Sequence, residues 1–436
     1  MNTGVAPAAE TEGRMEVREA YASYVVEAGL RAPNGYKLTE VGVIPEDWDV
    51  YPIGSAMHLI NGRAFKPEEW KEFGLPIIRI QNLNDPESAF NYCSGPVEDR
   101  HRIETGDLLF AWSGTTGTSF GARIWGGPVG VLNQHIFKVV PDQKKLSFRY
   151  AFLVLRNVQE SIEKQAHGFK ASFVHVKKSD LVGVLLPLPP TKAEQEAIAE
   201  ALSDADALIE SLEQLLAKKR QIKQGAMQEL LTGKKRLPGF SGEWEVKRLG
   251  DVADTDPENL GADTRPNFAF NYIALEDVDE GTLRSHSEQV FQTAPSRARR
   301  KLRKFDVLVS TVRPNLMSHL LFSFESEHWV CSTGFCVVRC REGATHPGYV
   351  FFHMFAGAVA CQIEALLTGS NYPAINSGDV RALQIPFPEY EEQSAIATVL
   401  TDMDAELAVL EAKLAKARQI KQGMMQELLT GRIRLI

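Results

Sequence analysis

The chain has 436 residues but few cysteines, no long apolar run and no large excess of charge of either sign. Its five cysteines are odd in number and unevenly spaced, which argues against the disulfide framework of a secreted protein. No apolar run approaches the roughly 20 residues that a membrane helix needs, and no cleavable signal is recognisable. We therefore expect a cytoplasmic protein without membrane contact.

Sequence motifs of common catalytic sites are also missing. The chain has no phosphate-binding loop, no H-E-x-x-H, no dinucleotide fingerprint and no N/D-P-P-Y/F tetrapeptide of adenine methyltransferases. GTSFG (117–121) matches the nucleophile elbow of serine hydrolases, but the following segment is glycine-rich and β-like, and His135 precedes Asp142. We expect no catalytic residue in this chain.

A metal site is also not expected. Cys331, Cys336 and Cys340 lie close together, with His328 and His346 nearby, but their spacing lacks the paired C-x(2)-C of a zinc knuckle. Buried cysteines of a β-strand are the favoured interpretation, so the sequence predicts no metal and no cofactor bound by this chain.

The main positive feature is an internal repeat with an offset of 198 residues. RQIKQGAMQELLTGKKRL (220–237) and RQIKQGMMQELLTGRIRL (418–435), here called the two strips, are identical at 15 of 18 positions. The similarity extends upstream over 194–216 and 392–414, and WDVYPIGSAM (48–57) resembles WEVKRLGDVA (244–253). The chain is a duplication, and joining its ends would close a circle with two-fold symmetry.

Each repeat contains a long helix according to its apolar spacing. Residues of alternating spacing four and three form a heptad seam, which is typical of helices that pack on each other. In the first copy they are Ile198, Leu202, Ala205, Ile209, Leu212 and Leu216; in the second they are Ile396, Leu400, Met403, Leu407, Leu410, Leu414 and Ala417. We predict two helices of about 40 residues, roughly 60 Å each, paired antiparallel and each ended by a glycine, Gly233 or Gly431.

The remaining segments alternate short β-like runs with turns and end in helix-like stretches at 150–165 and 348–367. The β-like runs are 76–83, 106–112, 135–140, 270–275, 305–312 and 334–340. We predict the α+β class, with two domains of mixed α/β type at 35–187 and 234–387. An N-terminal extension at 1–34 and spacer helices at 188–233 and 388–436 complete the organisation.

This order of domain, helix, strip, W-x-V restart, second domain and second helix resembles the specificity subunit of type I restriction–modification systems. The resemblance implies a non-catalytic chain whose two target-recognition domains each read half of a split site in double-stranded DNA. It implies that the helices set the gap, that two adenine-methyltransferase subunits bind around them and that restriction motor-nuclease subunits join. AdoMet, ATP and Mg²⁺ would then belong to the partner subunits. A free-standing bipartite DNA-binding regulator or scaffold is the alternative.

The strips are the candidate partner-binding surface, because they stay nearly identical while the domains differ. The glycine inside each strip costs about 1 kcal/mol against alanine in a helix, so close approach of a backbone, in this chain or a partner, is expected there. The predicted partner-binding residues are Gln221, Lys223, Gly225, Gln228, Glu229, Gln419, Lys421, Gly423, Gln426 and Glu427.

Loops between strands are the candidate DNA-binding surface, because loops can project polar groups into a groove. Amide side chains suit adenine edges, whereas cations suit phosphates or guanine. The basic run RARRKLRK (297–304) is interpreted as a phosphate-contacting loop, although such runs are often ordinary solvated surfaces. The predicted DNA-binding residues are Ser113, Gly114, Thr115, Thr116, Asn133, Gln134, Lys170, Arg299, Arg300, Arg313, Asn315, Asn371 and Tyr372.

Overall fold

The computed structural model describes residues 32–85, 88–168, 173–325, 328–367 and 373–435. The chain divides into two compact units. Unit 1 comprises residues 1–210 and 416–436, and unit 2 comprises residues 211–415. Each unit contains one of the predicted domains together with parts of both long helices.

A four-stranded antiparallel sheet, sheet A, lies in each unit. In unit 1 its strands, in spatial order, are Gly121–Ile124, Leu108–Ala111, Ile136–Pro141 and Met57–Asn61. In unit 2 they are Leu320–Leu321, Val307–Ser310, Phe335–Cys340 and Ala253–Thr255. The two sheets therefore have the same strand order along the chain.

A second four-stranded sheet, sheet B, contains one parallel pair in each unit. Its order in unit 1 is Asn91–Cys93, Leu75–Ile78, Gly130–Leu132 and Arg102–Ile103. In unit 2 it is Ser287–Val290, Ala269–Ile273, Trp329–Ser332 and Ala298–Lys301. The two middle strands of sheet B pair in parallel in both units, so the duplication also preserves this parallel pair.

The central strands of sheet A are buried on both faces because each face has its own core. Leu108 and Phe110 belong to the large core of unit 1, whereas Leu109 and Ala111 point into a second core with Ile78 and Leu132 of sheet B. In unit 2, Val307 and Val309 belong to the large core, whereas Leu308 belongs to a second core. Alternate side chains of a strand point to opposite faces, so continuous apolar runs are needed here.

Helices, ribbons and 3₁₀ turns complete the two units. Unit 1 has the hairpin Tyr36–Thr39 with Gly42–Pro45, the pairs Asp49–Pro52 with Leu185–Leu188 and Ser113–Thr115 with Phe173–His175, helices Ile53–Ala56, Ile80–Asn84, Phe148–Gly168 and Lys178–Val182, and 3₁₀ turns Pro67–Glu69 and Asp99–His101. Unit 2 has the pairs Glu245–Arg248 with Gln384–Phe387 and Val278–Asp279 with Thr282–Leu283, helices Leu249–Val252, Pro347–Met354, Gly357–Leu366 and Ser377–Ala382, and 3₁₀ turns Leu275–Asp277 and Pro314–Leu316.

The two long helices are Lys192–Leu230 and Tyr390–Leu428, of 39 residues each. All residues of the predicted seam are buried or half-buried in both helices, and the helices pack antiparallel. Gly233 and Gly431 both have φ +69, a conformation that L side chains rarely adopt, at the points where the chain turns away. The predicted α+β architecture with two paired long helices is confirmed.

Two details of the predicted secondary structure are wrong. The run 76–83 is a strand only at Leu75–Ile78, and Ile80–Asn84 is a helical turn. The stretch 348–367 is not one helix, because Phe355 and Ala356 separate Pro347–Met354 from Gly357–Leu366. None of the helices in the described part of the chain is by itself long and apolar enough to span a membrane, and only this pair, bent by 64°, passes that test when taken together.

Candidate nucleic-acid and partner interfaces

A buried glutamine fixes the start of each long helix to the domain that precedes it. Gln195 accepts from Ser147 N at 2.8 Å and donates to the carbonyls of Lys145 and Pro189 at 2.9 and 3.0 Å. Gln393 accepts from His346 N at 2.9 Å and donates to the carbonyls of Ala344 and Pro388 at 3.3 and 2.8 Å. The same three bonds thus orient each helix relative to its domain.

A buried glutamate one residue earlier binds the end of the other helix's strip. In unit 2, Glu392 accepts from Arg236 at 2.6 Å and from Trp244 Nε1 at 3.0 Å. In unit 1, Glu194 accepts from Arg434 at 2.8 Å, and Arg434 also donates to Asp47 at 2.9 and 3.0 Å. The hydrogen bonds to Glu392 and Glu194 raise the pKa of the Arg236 and Arg434 guanidiniums above the ordinary arginine value. The hydrogen bonds from Arg434 lower the pKa of the Asp47 carboxyl below the ordinary aspartate value.

In unit 1 the segment around Trp48 contacts the end of the second strip, at the place where unit 2 has a continuous connection. Trp48 lies near Gly431 much as Trp244 lies near Gly233, since a Cβ on either glycine would crowd the indole at about 3.1 Å. The Tyr36 hydroxyl also donates to the Gly431 carbonyl at 3.4 Å. The same contact between a tryptophan and a glycine therefore occurs in both units.

Ion pairs between the long helices repeat with the symmetry of the sequence. Lys421 lies 2.7 Å from Asp206 in unit 1, and Lys223 pairs with Asp404 in unit 2. Lys219–Glu406 and Arg220–Glu411, both at 2.6 Å, add to the pairing in unit 2. Lys223 and Lys421 are half-buried, so Lys223 is less exposed than the sequence suggested, and partner contact by either lysine stays a prediction.

The rest of the predicted partner surface lies on the outer side of the strips. Gln221, Gln228, Glu229, Gln419 and Gln426 are exposed, while Glu427 is half-buried and lies 3.5 Å from Arg432. A Cβ added to Gly225 or Gly423 would meet nothing within 4 Å among the residues that the structure describes. Close approach of this chain's own described backbone therefore does not explain either glycine.

Sequence reasoning missed one apolar residue in each strip. Ile222 is 47% exposed and Ile420 is 50% exposed, each three residues before the open glycine. An isoleucine exposed to this degree at corresponding places of two nearly identical strips extends the candidate docking surface. Strip identity was the available signal, but the heptad seam did not include these positions.

In unit 1 the predicted DNA-binding residues fall into a ribbon and a turn. Ser113, Gly114 and Thr115 form a strand, not a loop, paired with Phe173–His175. Ser113 and Gly114 are buried, and a Cβ added at Gly114 would lie 2.6 Å from Ser119 Oγ. Thr115 is exposed and Thr116 is half-buried. Ser119 of the GTSFG motif is buried and accepts from Thr115 N at 2.7 Å.

Asn133 and Gln134 lie at the start of a tight turn in unit 1. Asn133 N donates to the Ile78 carbonyl at 3.0 Å, and its side chain accepts from Gln134 N at 2.8 Å. Gln134 is exposed, and its amide lies 3.1 Å from His135 Nε2. Lys170 lies outside the described residues. The exposed Phe173, at 62%, was missed because a single aromatic in a short run has no periodic signal.

In unit 2 the middle of the basic run is a strand rather than a loop. Arg299 and Arg300 belong to Ala298–Lys301 of sheet B, so their predicted loop placement is wrong. The Arg300 side chain is 19% exposed and lies 3.0 Å from Asp256, and the Arg299 guanidinium lies over the Phe291 ring at 4.9 Å. Asn371 and Tyr372 lie outside the described residues.

Arg313 and Asn315 are exposed on the loop that follows Val307–Ser310. This loop corresponds to the ribbon of unit 1, since Val312 bridges Ala374 as Ser113 pairs with His175. The two predicted surfaces thus occupy equivalent places in the repeat.

The cysteines of the cluster that the sequence pointed out are packed inside the protein. Burial raises the pKa of the Cys336 and Cys340 thiols to about 12, so both remain protonated near neutral pH. Among the described residues no group of three or more potential metal ligands is arranged to hold an ion.

A profile of the family described as "Type I restriction modification DNA specificity domain" matches residues 45–223 and 241–419. These two matches span most of the chain and coincide with the repeat. The chain belongs to this family. It is a specificity subunit, which recognises a DNA target and is non-catalytic within the restriction–modification complex.

Full-length relatives agree with this assignment. The type I restriction enzyme MjaVIII specificity subunit of Methanocaldococcus jannaschii is 24% identical over 428 residues, covering 90% of this chain and 94% of the relative. The EcoBI specificity subunit of Escherichia coli is 22% identical, covering 89% and 87%. A crystal structure of the type I S subunit from M. genitalium shares the fold with a TM-score of 0.54 at 16% identity, covering 92% of this chain and 98% of that one.

Proposed function

We propose that this specificity subunit recognises an asymmetric bipartite DNA site, with one half read by each domain and the gap set by the long helices. The observation that carries the proposal is the contrast between near-identical strips and dissimilar domains. Two different domains read two different half-sites, and two equal helices, each about 58 Å long, keep their separation constant. Base edges in the grooves carry the sequence information.

The proposed DNA contacts are divided by what each side chain already does. Exposure supports Thr115, Gln134, Arg313 and Asn315 as contacts, and Asn133, Thr116 and Arg299 as neighbours of that surface. Ser113, Gly114 and Arg300 instead support the backbone or an ion pair around it. Lys170, Asn371 and Tyr372 remain proposals from the sequence.

The proposed partners are two methyltransferase subunits, which dock on the outer faces of the strips, and restriction motor-nuclease subunits. AdoMet, ATP and Mg²⁺ would be held by those partners, and the complex would act in the cytoplasm. Open glycines and exposed isoleucines at matching places support a docking of two identical subunits. The purified chain alone should neither methylate nor cut DNA; AdoMet-dependent methylation by the isolated chain would contradict this.

The methyladenine pattern of the host genome tests the proposed function. Deleting the gene should remove methylation from one bipartite motif, and restoring the gene should return it. Restoring Arg313→Ala instead should relax or abolish reading of one half only, at a cost of about 1–3 kcal/mol if Arg313 contacts a base. An unchanged methylome after deletion would refute the proposal. A uniform loss of affinity with a smaller salt dependence would show that Arg313 contacts phosphate.

A further inference from the structure

The loop from Val312 to Ser318 in unit 2 has an unusual backbone. Arg313 has φ +49 and ψ +52, and Met317 has φ +51 and ψ +33, so two non-glycine residues are left-handed within five positions. Arg313 also precedes Pro314, and a residue before proline normally prefers an extended conformation. Such outliers persist only where the surrounding structure holds them, and they occur preferentially at functional sites.

Contacts on both sides hold this loop in place. Arg313 N donates to the Pro373 carbonyl at 2.8 Å, and Pro314 is buried. At the other end, His319 is buried, and its Nδ1 accepts from Ser310 N at 3.1 Å. Met317 N donates to the Pro314 carbonyl at 3.0 Å, which closes the turn between them. Both ends of the loop are therefore anchored to the fold.

Three different side chains are exposed on this anchored turn. Arg313 carries a guanidinium and Asn315 an amide, whereas Leu316 is apolar and 57% exposed. In the major groove, arginine suits guanine, asparagine suits adenine, and an apolar side chain suits the thymine methyl group, the apolar feature among the base edges there. Leu316 is exposed beside Arg313 and Asn315, the two residues proposed to read bases, and its apolar side chain suits that methyl group.

We propose that Leu316 packs against the 5-methyl group of a thymine in the half-site read by unit 2. This inference rests on the proposed function and assigns a specificity-determining residue to it. The strained backbone has a role here, because it holds Leu316 next to Arg313 and Asn315 before DNA binds. Pre-organised groups bind with less loss of conformational freedom than groups on a mobile loop.

Deoxyuridine, which differs from thymidine only by the missing methyl group, tests the contact. The chain is co-purified with its methyltransferase subunits, and Kd is measured for duplexes carrying the genomic motif. Each thymine of the motif is replaced in turn. One replacement should weaken binding of the unmodified complex about fourfold, the value for one buried methyl group. Leu316→Ala should bind the thymine and uracil duplexes equally.

Leu208→Ala is the matched control, because Leu208 is 55% exposed on the first long helix and should retain the fourfold ratio. The sensitive thymine must lie in the half-site whose reading changes in Arg313→Ala. The inference is overturned if no thymine there is sensitive, if that half-site has no thymine, or if Leu316→Ala keeps the ratio. No preference for the genomic motif at all would instead refute the proposed function.

Discussion

Unit 1 and unit 2 are most alike where a long helix joins its domain and least alike at the surfaces proposed to meet DNA. Gln195 and Gln393 make the same three hydrogen bonds, whereas the ribbon of Ser113–Thr115 in unit 1 corresponds to a strained loop around Arg313 in unit 2. A buried network tolerates little change, since any unpaired polar group costs free energy. An exposed loop has no such constraint, so specificity can differ while the frame stays the same.

The backbone conformations of the two units also differ. All five non-glycine residues with positive φ in the described chain lie in unit 2, while the positive-φ positions of unit 1's domain are glycines. The cores differ as well. Val154 of unit 1 is replaced by the buried His353 in unit 2, next to the corresponding Tyr150 and Tyr349. Unit 2 thus has local features that unit 1 does not share.

The largest expected effect comes from lengthening the shared part. One heptad inserted into both helices, after Leu212 and Leu410, preserves the seam and adds about 10 Å. The two half-sites should keep their sequences while the gap widens by about three base pairs, at 3.4 Å per pair. The methylated motif in cells carrying the variant reports the gap directly.

Inserting two residues at the same places is the control, because it turns the seam by about 200° and should abolish assembly. If the heptad variant still methylates the original motif with its original gap, the helices do not set the spacing.

The next effect tests whether the two helix junctions are equivalent. Gln195→Ala and Gln393→Ala each leave one backbone N–H and two carbonyls without their partner in a buried site. We expect each change to lower the free energy of unfolding by about 3 kcal/mol, measured with urea. Gln228→Ala, on the exposed strip surface, should change it little. Clearly unequal losses would show that the units are not held alike.

Features encoded by nearby residues could be predicted from the sequence. The helix pair follows from a heptad period and a repeat, both of which depend on spacing alone. Contacts between distant residues could not be predicted: Arg300 pairs with Asp256, and Lys223 pairs with Asp404. The basic run therefore resembled a loop, and two half-buried lysines were expected on the surface.

The break at Phe355 and the exposure of Phe173 and Leu316 were also beyond sequence reasoning. Gly357 is the local signal at the break, but it is weak because isolated glycines also occur inside helices. Exposure depends on what packs nearby. Of the proposed DNA contacts, Arg313 and Asn315 could be chosen because they are polar residues that follow the β-like run 305–312. The strain at Arg313 became visible only in the folded backbone.

A smaller effect should appear on acidification of unit 2. Burial lowers the pKa of His319 to about 4 and that of His353 to about 3, so both stay neutral in the folded chain. In the unfolded chain they take up protons below about pH 6.5. Their contribution is therefore complete above pH 6.5 and is lost as the pH falls toward the folded values, by about 2 kcal/mol per histidine at pH 5.

His353→Val, which copies Val154 of unit 1, separates this effect from general instability. Its urea-unfolding free energy should fall about 2 kcal/mol less between pH 7 and pH 5 than that of the unmodified chain. Val350→Ala, a core change without a titrating group, should lower stability equally at both values. An unchanged pH dependence in His353→Val would rule out this histidine as a source of acid sensitivity.

The smallest effect concerns the two glycines, and it distinguishes stability from assembly. Gly225 and Gly423 lie within helices, with open space around them in the described chain. Alanine at either should stabilise the isolated chain by up to about 1 kcal/mol, because glycine is the poorer helix former.

A bulky Gly423→Leu should instead weaken assembly with the methyltransferase subunits more than it weakens folding. Unfolding and sizing chromatography measure the two separately, with Ala217→Leu, an exposed helix position outside the strip, as control. If Gly423→Leu forms the complex as the unmodified chain does, no partner backbone approaches this glycine, and its cost to the helix has another cause.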